Sequence, residues 1–180
     1  METIERIKTR RTIRKFKDEK VPREVVEQIV SAAAYAPSWK NSQTTRYVVI
    51  EDKEVMEKII KDGLMGLEHN SEIIRNTPVL VVVTSIKNRS GYERDGSYTT
   101  SRKDKWEAFD AGIATQTFVL AASELGVGSV IMGIYDEEKI KEILELPEDR
   151  AVSALVSIGY PDKNPVAPKR KEVEELIEYR

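Results

Sequence analysis

The 180-residue chain contains no cysteine, and this absence removes several classes of chemistry at once. Without thiols there can be no disulfides, thiolate nucleophiles, iron–sulfur clusters or cysteine-held zinc ions. The single histidine, His69, cannot form a histidine-rich metal site and has no obvious nucleophile beside it. Because no GxSxG sequence is present either, a Ser-His-Asp hydrolase is disfavoured. We therefore expect neither a metal site nor a catalytic side chain of these kinds.

The chain also lacks long apolar runs and a strong excess of charge. No segment approaches the length needed to span a bilayer, and the N-terminus has no apolar core of signal-peptide length. We therefore expect a cytoplasmic protein without a membrane partner. The 29 basic and 31 acidic residues give a net charge of -2. This balance disfavours a nucleic-acid partner, because such binding depends on neutralising many phosphates.

The remaining composition is typical of a single globular domain over residues 1–180, with 40% hydrophobic and 33% charged residues. Apolar spacing and helix-capping residues predict helices near 3–10, 22–36, 52–60, 68–76, 107–125 and 136–146. Apolar runs and alternation predict strands at 47–50, 79–86, 129–134 and 151–158, and the last ten residues are expected to form a terminal helix or arm. Together these elements predict an α+β fold.

Seven of the twelve residues in RIKTRRTIRKFK, from Arg6 to Lys17, are basic. Arginine guanidinium groups match phosphate oxygens in pairs, so one interpretation is a site for a small phosphate-bearing ligand. The other is a solvated basic face, and both remain open at this point. A second basic sequence, PKRK from Pro168 to Lys171, could converge on the same phosphate.

The polar stretch APSWKNSQTTRY, from Ala36 to Tyr47, could bind the edge of a heteroaromatic ring or could be an ordinary turn. A dinucleotide fingerprint at Gly126-x-Gly128 is rejected, because Ile131 occupies the position of its third glycine. Gly133, at a predicted strand end, would allow a ligand to approach the backbone closely. Asp110 is interpreted as a charge near a helix terminus.

The region Lys87–Lys105 predicts a long mobile loop. Its charged side chains are interpreted as solvated, although a loop of this length could cover a substrate.

Several motifs, taken in order, resemble the nitroreductase family of flavoproteins. They are TRRTIRKF, AAYAPSWKNSQ, DAGIATQTFVLAASELGVGS, IMGIYDEEKIKEIL, LVSIGYP and PKRK, and they extend over essentially the whole chain. The resemblance implies a central, mostly antiparallel sheet surrounded by helices, with a long buried helix at a dimer interface. It also implies a homodimer with FMN bound between the subunits. Such an enzyme uses NADH or NADPH to reduce nitroaromatics, quinones or a related small electron acceptor by a ping-pong route.

The resemblance also implies which residues bind the flavin. Those assigned to its phosphate and ribityl chain are Arg10, Arg11, Thr12, Arg14, Lys169 and Lys171. Those assigned to the ring are Pro37, Ser38, Trp39, Asn41 and Gln43 from the other subunit, together with Asn70, Met132, Gly133 and Ile134. The reactive chemistry belongs to the flavin itself, so no catalytic side chain is expected.

Two positions depart from the usual family pattern. Trp39-Lys40 follows the Pro-Ser pair where relatives have small residues, and Thr44-Thr45 replaces a Pro-Trp pair. Broad activity on nitroaromatics is therefore not assured, and two alternatives stay open. One is an enzyme of the same fold with different flavin chemistry, such as reductive dehalogenation or flavin destruction. The other is a flavin carrier or sensor without turnover.

Overall fold

The computed structural model describes residues 2–180, and within them the chain forms one four-stranded sheet. Its strands are β1 (Thr45–Ile50), β2 (Val79–Ile86), β3 (Gly128–Met132) and β4 (Arg150–Gly159). They lie in the order β1-β2-β4-β3, and each neighbouring pair is antiparallel. The helices are α1 (Thr3–Thr9), α2 (Arg23–Ala33), α3 (Lys53–Lys58), α4 (Glu68–Arg75), α5 (Lys105–Glu124) and α6 (Glu137–Ile143). The predicted α+β fold with an antiparallel sheet is confirmed.

Strand β2 lies at the centre of the sheet and separates two apolar layers. Successive side chains of a strand point to opposite faces. Val79, Val81 and Val83 accordingly pack with residues of α2 and α5. Leu80 and Val82 pack on the other face with residues of α3, α4 and α6. The continuous apolar run in the sequence is explained by this burial on both faces.

Two of the predicted helix starts are confirmed by their capping contacts. The carboxylate of Asp52 accepts a hydrogen bond from the backbone N–H of Glu54 at 2.8 Å, and Asp136 accepts one from Lys139 at 3.1 Å. Such caps satisfy backbone donors that the first helical turn leaves free. Helix α6 is shorter than predicted, because Glu145 adopts a left-handed conformation with φ of 49° and helical geometry cannot continue through it.

The end of the chain is an exposed arm. Residues 162–180 are all exposed, and their only helical element is a 3-10 turn at Val173–Glu175. The arm alternative of the prediction is therefore confirmed, and the terminal-helix alternative is wrong. Within residues 2–180, no helix combines the length and apolar character needed to cross a membrane. The single-domain and cytoplasmic assignments stay predictions.

Candidate functional site

The N-terminal arginines lie beside the start of β3, where the chain after α1 joins the edge of the sheet. Thr12 forms a parallel bridge with Ser129, and the Ile13 N–H donates to the Ser129 carbonyl at 2.9 Å. Gly128 makes this approach possible, since an added Cβ would lie only 2.7 Å from Ile13 Cγ1. The glycine that resembled part of a dinucleotide motif therefore serves the packing of this segment.

A cavity of about 670 Å³ opens beside this junction, and Arg10 and Arg11 line it together with Ser129. Arg11 donates to the backbone carbonyls of Lys8 and Arg10, both at 2.8 Å. The half-buried guanidinium of Arg10 has no hydrogen-bond or carboxylate partner within residues 2–180. We call this space the arginine cavity.

The charge around Arg10 is uncompensated. Burial lowers the pKa of its guanidinium, and the positive charges of Arg11 and Arg170 lower it further. Arg170 belongs to the PKRK sequence, so a positive charge of the second basic sequence acts on a residue of the first. The convergence of both sequences on one phosphate stays a prediction. The residue of the PKRK sequence whose positive charge lowers the pKa of Arg10 is Arg170, whereas the family resemblance assigned Lys169 and Lys171 to the flavin. An anion placed among these guanidinium groups would remove their mutual repulsion.

Strand β3 connects the arginine cavity to the residues assigned to the ring. Strand β3 is an edge strand that runs from the cavity at Gly128 past an exposed Ile131 to Met132. A second cavity of about 430 Å³ lies beyond, lined by Ile131, Gly112 and Thr115 among others. Met132 is buried, whereas Gly133 and Ile134 are exposed after the strand. A Cβ at Gly133 would meet no atom within 4 Å, so the backbone there is open to a ligand.

Four other assigned residues differ in their surroundings. Asn70 is only 8% exposed, and its side-chain amide has no hydrogen-bond partner within residues 2–180. Arg14 and Lys169 are exposed, as is Lys171. The amide atoms of Asn70 are not among the buried polar atoms without a partner, so they retain contact with solvent and are accessible to a ligand.

The segment Pro37–Gln43 lies elsewhere on the protomer. Pro37, Ser38 and Gln43 line a third cavity, of about 760 Å³, between α2, β1 and α5. This cavity shares no lining residue with the arginine cavity. Within one protomer, the structure therefore does not bring the two groups of assigned residues into one cavity.

Asp110 lies early in α5, and its side chain contacts two segments far away in the sequence. It is 3% exposed in α5, and its Oδ2 accepts hydrogen bonds from the Trp39 backbone N–H at 2.9 Å and the Ser90 hydroxyl at 2.6 Å. Side-chain hydrogen bonds to distant segments define its surroundings, and its interpretation as helix-terminus electrostatics stays a prediction. No local sequence signal connects residues 71 positions apart.

Within the described residues, no named helix or strand lies between β2 and α5, so the predicted loop Lys87–Lys105 reaches the first residue of α5. The loop contains backbone hydrogen bonds of its own. The N–H of Glu93 donates to Ser97 at 2.8 Å, and the N–H of Thr99 donates to Gly91 at 2.9 Å. Burial raises the pKa of the Glu107 carboxyl, which also accepts hydrogen bonds from the start of the loop. The predicted mobility of the loop stays a prediction.

Comparison with known proteins identifies the class to which this sheet, long helix and basic cavity belong. The sequence model of the Nitroreductase family matches residues 7–160, so the chain belongs to this family. A solved structure of an FMN-dependent nitroreductase from Clostridium difficile is 30% identical, with a TM-score of 0.74, and the match covers 92% of this chain and 91% of that one.

Two relatives that are similar to this chain have names that state different activities. A Methanothermobacter thermautotrophicus protein, provisionally named NADH dehydrogenase/NAD(P)H nitroreductase, is 31% identical over 172 residues, which cover 92% of this chain and 80% of that protein. An iodotyrosine deiodinase from Haliscomenobacter hydrossis is 28% identical over 182 residues, covering 88% and 79%. The predicted family membership is confirmed.

Proposed function

We propose that this protein is an FMN-dependent oxidoreductase that takes electrons from NADH or NADPH and passes them to a small acceptor, such as a nitroaromatic or a quinone, by a ping-pong route. The observation that carries the proposal is the unpartnered guanidinium of Arg10 in the arginine cavity, beside Arg11 and Arg170. Family membership and the similarity to an FMN-dependent nitroreductase support it.

The residues present fit FMN. Arg10, Arg11 and Arg170 provide the positive charge that a phosphate monoester requires, with Thr12 and Arg14 close by in the chain. The exposed edge of β3 provides a path for the ribityl chain. The open backbone at Gly133 and the free amide of Asn70 can then hydrogen-bond to a ring edge. We assign Met132, Ile134, Lys169 and Lys171 to the same site.

The chain's own task in this proposal is to bind and orient. When bound, FMN supplies hydride acceptance and donation, which is the difficult chemistry of the reaction. The arginines neutralise the phosphate, and the backbone after β3 fixes the ring edge. The exposed side chain of Ile131 offers apolar contact to the bound flavin. No nucleophilic side chain is required.

We further propose a homodimer in which Pro37, Ser38, Trp39, Asn41 and Gln43 reach the flavin of the partner subunit. The separation of the two cavities within one protomer supports this arrangement, because a second subunit would supply the segment that one protomer keeps apart from its own arginine cavity. The exposed Phe109 on α5 and the exposed apolar residues of the 162–180 arm, including Leu176 and Tyr179, also favour association.

Reductive dehalogenation is the second candidate, and the similarity to an iodotyrosine deiodinase is the observation that favours it. In this second candidate function, the loop Lys87–Lys105 would cover a phenolic substrate. The two functions differ in the acceptor, while the cofactor is the same.

Purification and anaerobic reduction test the proposal. We expect a yellow protein that elutes as a dimer and whose flavin absorbance is bleached by NADH or NADPH. Reoxidation is then followed by stopped flow with a nitroaromatic, a quinone and an iodophenol. A colourless protein that does not take up added FMN would contradict the proposal. Failure of both nicotinamides to bleach the flavin would favour a carrier, and fast reoxidation by the iodophenol alone would favour dehalogenation.

A further inference from the structure

Asp110 is a buried carboxylate that the proposed flavin site does not use. Within residues 2–180, no basic side chain forms an ion pair with it. Burying a charge without a countercharge is costly unless hydrogen bonds compensate for the lost water. Here the compensation comes from the Trp39 N–H and the Ser90 hydroxyl, which both donate to the same carboxylate oxygen. The buried carboxylate of Asp110 therefore joins two segments that are distant in the sequence.

The first of these segments needs support from outside itself. Lys40, Asn41 and Gln43 have positive φ values of 46°, 55° and 49°. This region is disfavoured for residues other than glycine and persists where surrounding contacts impose it. Asp110 holds the residue before these three, and the Ser38 hydroxyl accepts a hydrogen bond from the Gln43 N–H at 2.9 Å. Asp110 thus fixes one end of a strained turn.

The second segment is the loop Lys87–Lys105. Ser90 is fully buried, and its hydroxyl lies 3.1 Å from the hydroxyl of Ser42 as well as 2.6 Å from Asp110. A chain of polar contacts therefore leads from Trp39 through Asp110 and Ser90 back to Ser42. We call these contacts of Trp39, Asp110, Ser90 and Ser42, which surround the strained turn, the Asp110 clasp.

Two further contacts join the turn and the loop at the clasp. Lys40 Nζ lies 3.0 Å from both carboxylate oxygens of Glu93. The ring of Trp39 lies 4.9 Å from that of Trp106, just after the loop. The exposed ion pair adds little energy by itself, so the buried clasp is the stronger connection.

We propose that Asp110 is a positioning residue, which sets the shape of the Pro37–Gln43 segment and couples it to the loop Lys87–Lys105. The inference rests on the proposed function, in which that segment borders the flavin of the partner subunit. A displacement of the loop by an acceptor is transmitted through Ser90 and Asp110 to the turn. The carboxylate thereby tunes the acceptor side of the site without touching the reacting atoms.

The first test requires no flavin. Trp39 and Trp106 are the only tryptophans of the chain, so near-ultraviolet circular dichroism of the flavin-free protein reports their contact directly. In Asp110→Ala, most of the near-ultraviolet dichroism that arises from the contact between the Trp39 and Trp106 rings should be lost. Asp110→Asn should keep most of it, because the amide oxygen can still accept both hydrogen bonds. Ser97→Ala, which removes a loop hydroxyl bonded only to Asp95, is the matched control and should match the wild type.

The second test uses the flavin-loaded enzyme and Ser90→Ala, which breaks the loop side of the clasp and leaves the Trp39 contact. FMN affinity should stay within about twofold of wild type. The KM for a quinone acceptor should rise at least about threefold, with kcat changing less than about twofold. Equal changes in Ser90→Ala and Ser97→Ala would overturn the coupling. An unchanged dichroism signal in Asp110→Ala would overturn the positioning role.

The outcomes separate this inference from the proposed function. If the wild type binds no FMN, the proposed function fails, and the dichroism comparison still decides whether Asp110 holds Trp39. If the wild type binds FMN but the Asp110 and Ser90 variants behave like Ser97→Ala, only the present inference fails. Should Asp110→Ala not fold, Ser90→Ala decides the matter, since it removes one hydrogen bond to Asp110 and retains the one from Trp39.

Discussion

Replacing Arg10 by alanine should have opposite effects on FMN affinity and on the stability of the flavin-free protein. The guanidinium lies half-buried beside Arg11 and Arg170, and burial and these two charges lower its pKa. In the absence of an anion its positive charge is therefore unfavourable in the folded state. Removing it should leave the melting temperature of the flavin-free protein unchanged or raised.

The effect on FMN is a loss of affinity. A hydrogen bond to a charged group contributes about 1.5–3 kcal/mol, and each 1.4 kcal/mol is a factor of about ten. One lost phosphate contact would therefore weaken binding roughly 10- to 150-fold. Because Arg11 and Arg170 remain, we expect a value near the lower limit. The difference from wild type should shrink as salt is raised, since the site is open to solvent.

Fluorescence titration of FMN and thermal melts of flavin-free protein measure the two effects. Arg23→Ala is the matched control, because Arg23 is an exposed arginine on α2 that pairs with Glu51. It should bind FMN like the wild type. Unchanged FMN affinity in Arg10→Ala would refute the phosphate assignment. A clear drop in the melting temperature of the flavin-free variant would refute the reasoning about uncompensated charge.

Three further predictions concern stability, each followed by denaturant unfolding of flavin-free protein. Gly128→Ala should cost about 1–3 kcal/mol, because the new methyl group would lie against Ile13. Asp52→Ala should cost about 1 kcal/mol through loss of the α3 cap. Between pH 10 and 12 the free energy of unfolding should fall, because burial raises the pKa of Tyr47 and Tyr135 to about 12, whereas unfolded tyrosines ionise near pH 10.

Each of these has a control. Gly133→Ala should be nearly neutral in the flavin-free protein, since a Cβ there meets no atom within 4 Å. Asp18→Ala removes an exposed carboxylate and should also be neutral. Tyr135→Phe should make the alkaline fall in stability less steep, whereas Tyr35→Phe, at an exposed position, should not. Equal effects in a variant and its control would contradict the corresponding explanation.

Local patterns were sufficient to predict most of the sheet and the helix starts. The apolar run of β2 and the carboxylates of Asp52 and Asp136 act on their immediate neighbours, so the sequence itself contains the cause. The early end of α6 was missed, because the left-handed conformation of Glu145 has no residue signal such as glycine. The strand Gly128–Met132 begins one residue and ends two residues before the predicted strand.

Contacts between distant segments could not be predicted from spacing. The approach of Arg170 to Arg10 depends on the path of the chain after β4, and the bond from Trp39 to Asp110 joins residues 71 positions apart. The family resemblance supplied the basic and polar segments of the candidate site. It did not supply the Asp110 clasp, because hydrogen bonds of this kind depend on side-chain positions that only the structure shows.

The pairing between β2 and β4 shifts register between Val83 and Thr84, where Ser153 is an extra residue without a partner in the ladder. Such a bulge bends a strand and redirects one side chain. Val152 and Leu155 lie in the same apolar layer despite odd spacing, so the bulge absorbs one residue without disturbing that layer. Deleting Ser153 would restore strict alternation and leave both residues where they are. The position of Ser153 in the wall of the cavity of about 430 Å³ can therefore be altered separately from the apolar layer that contains Val152 and Leu155.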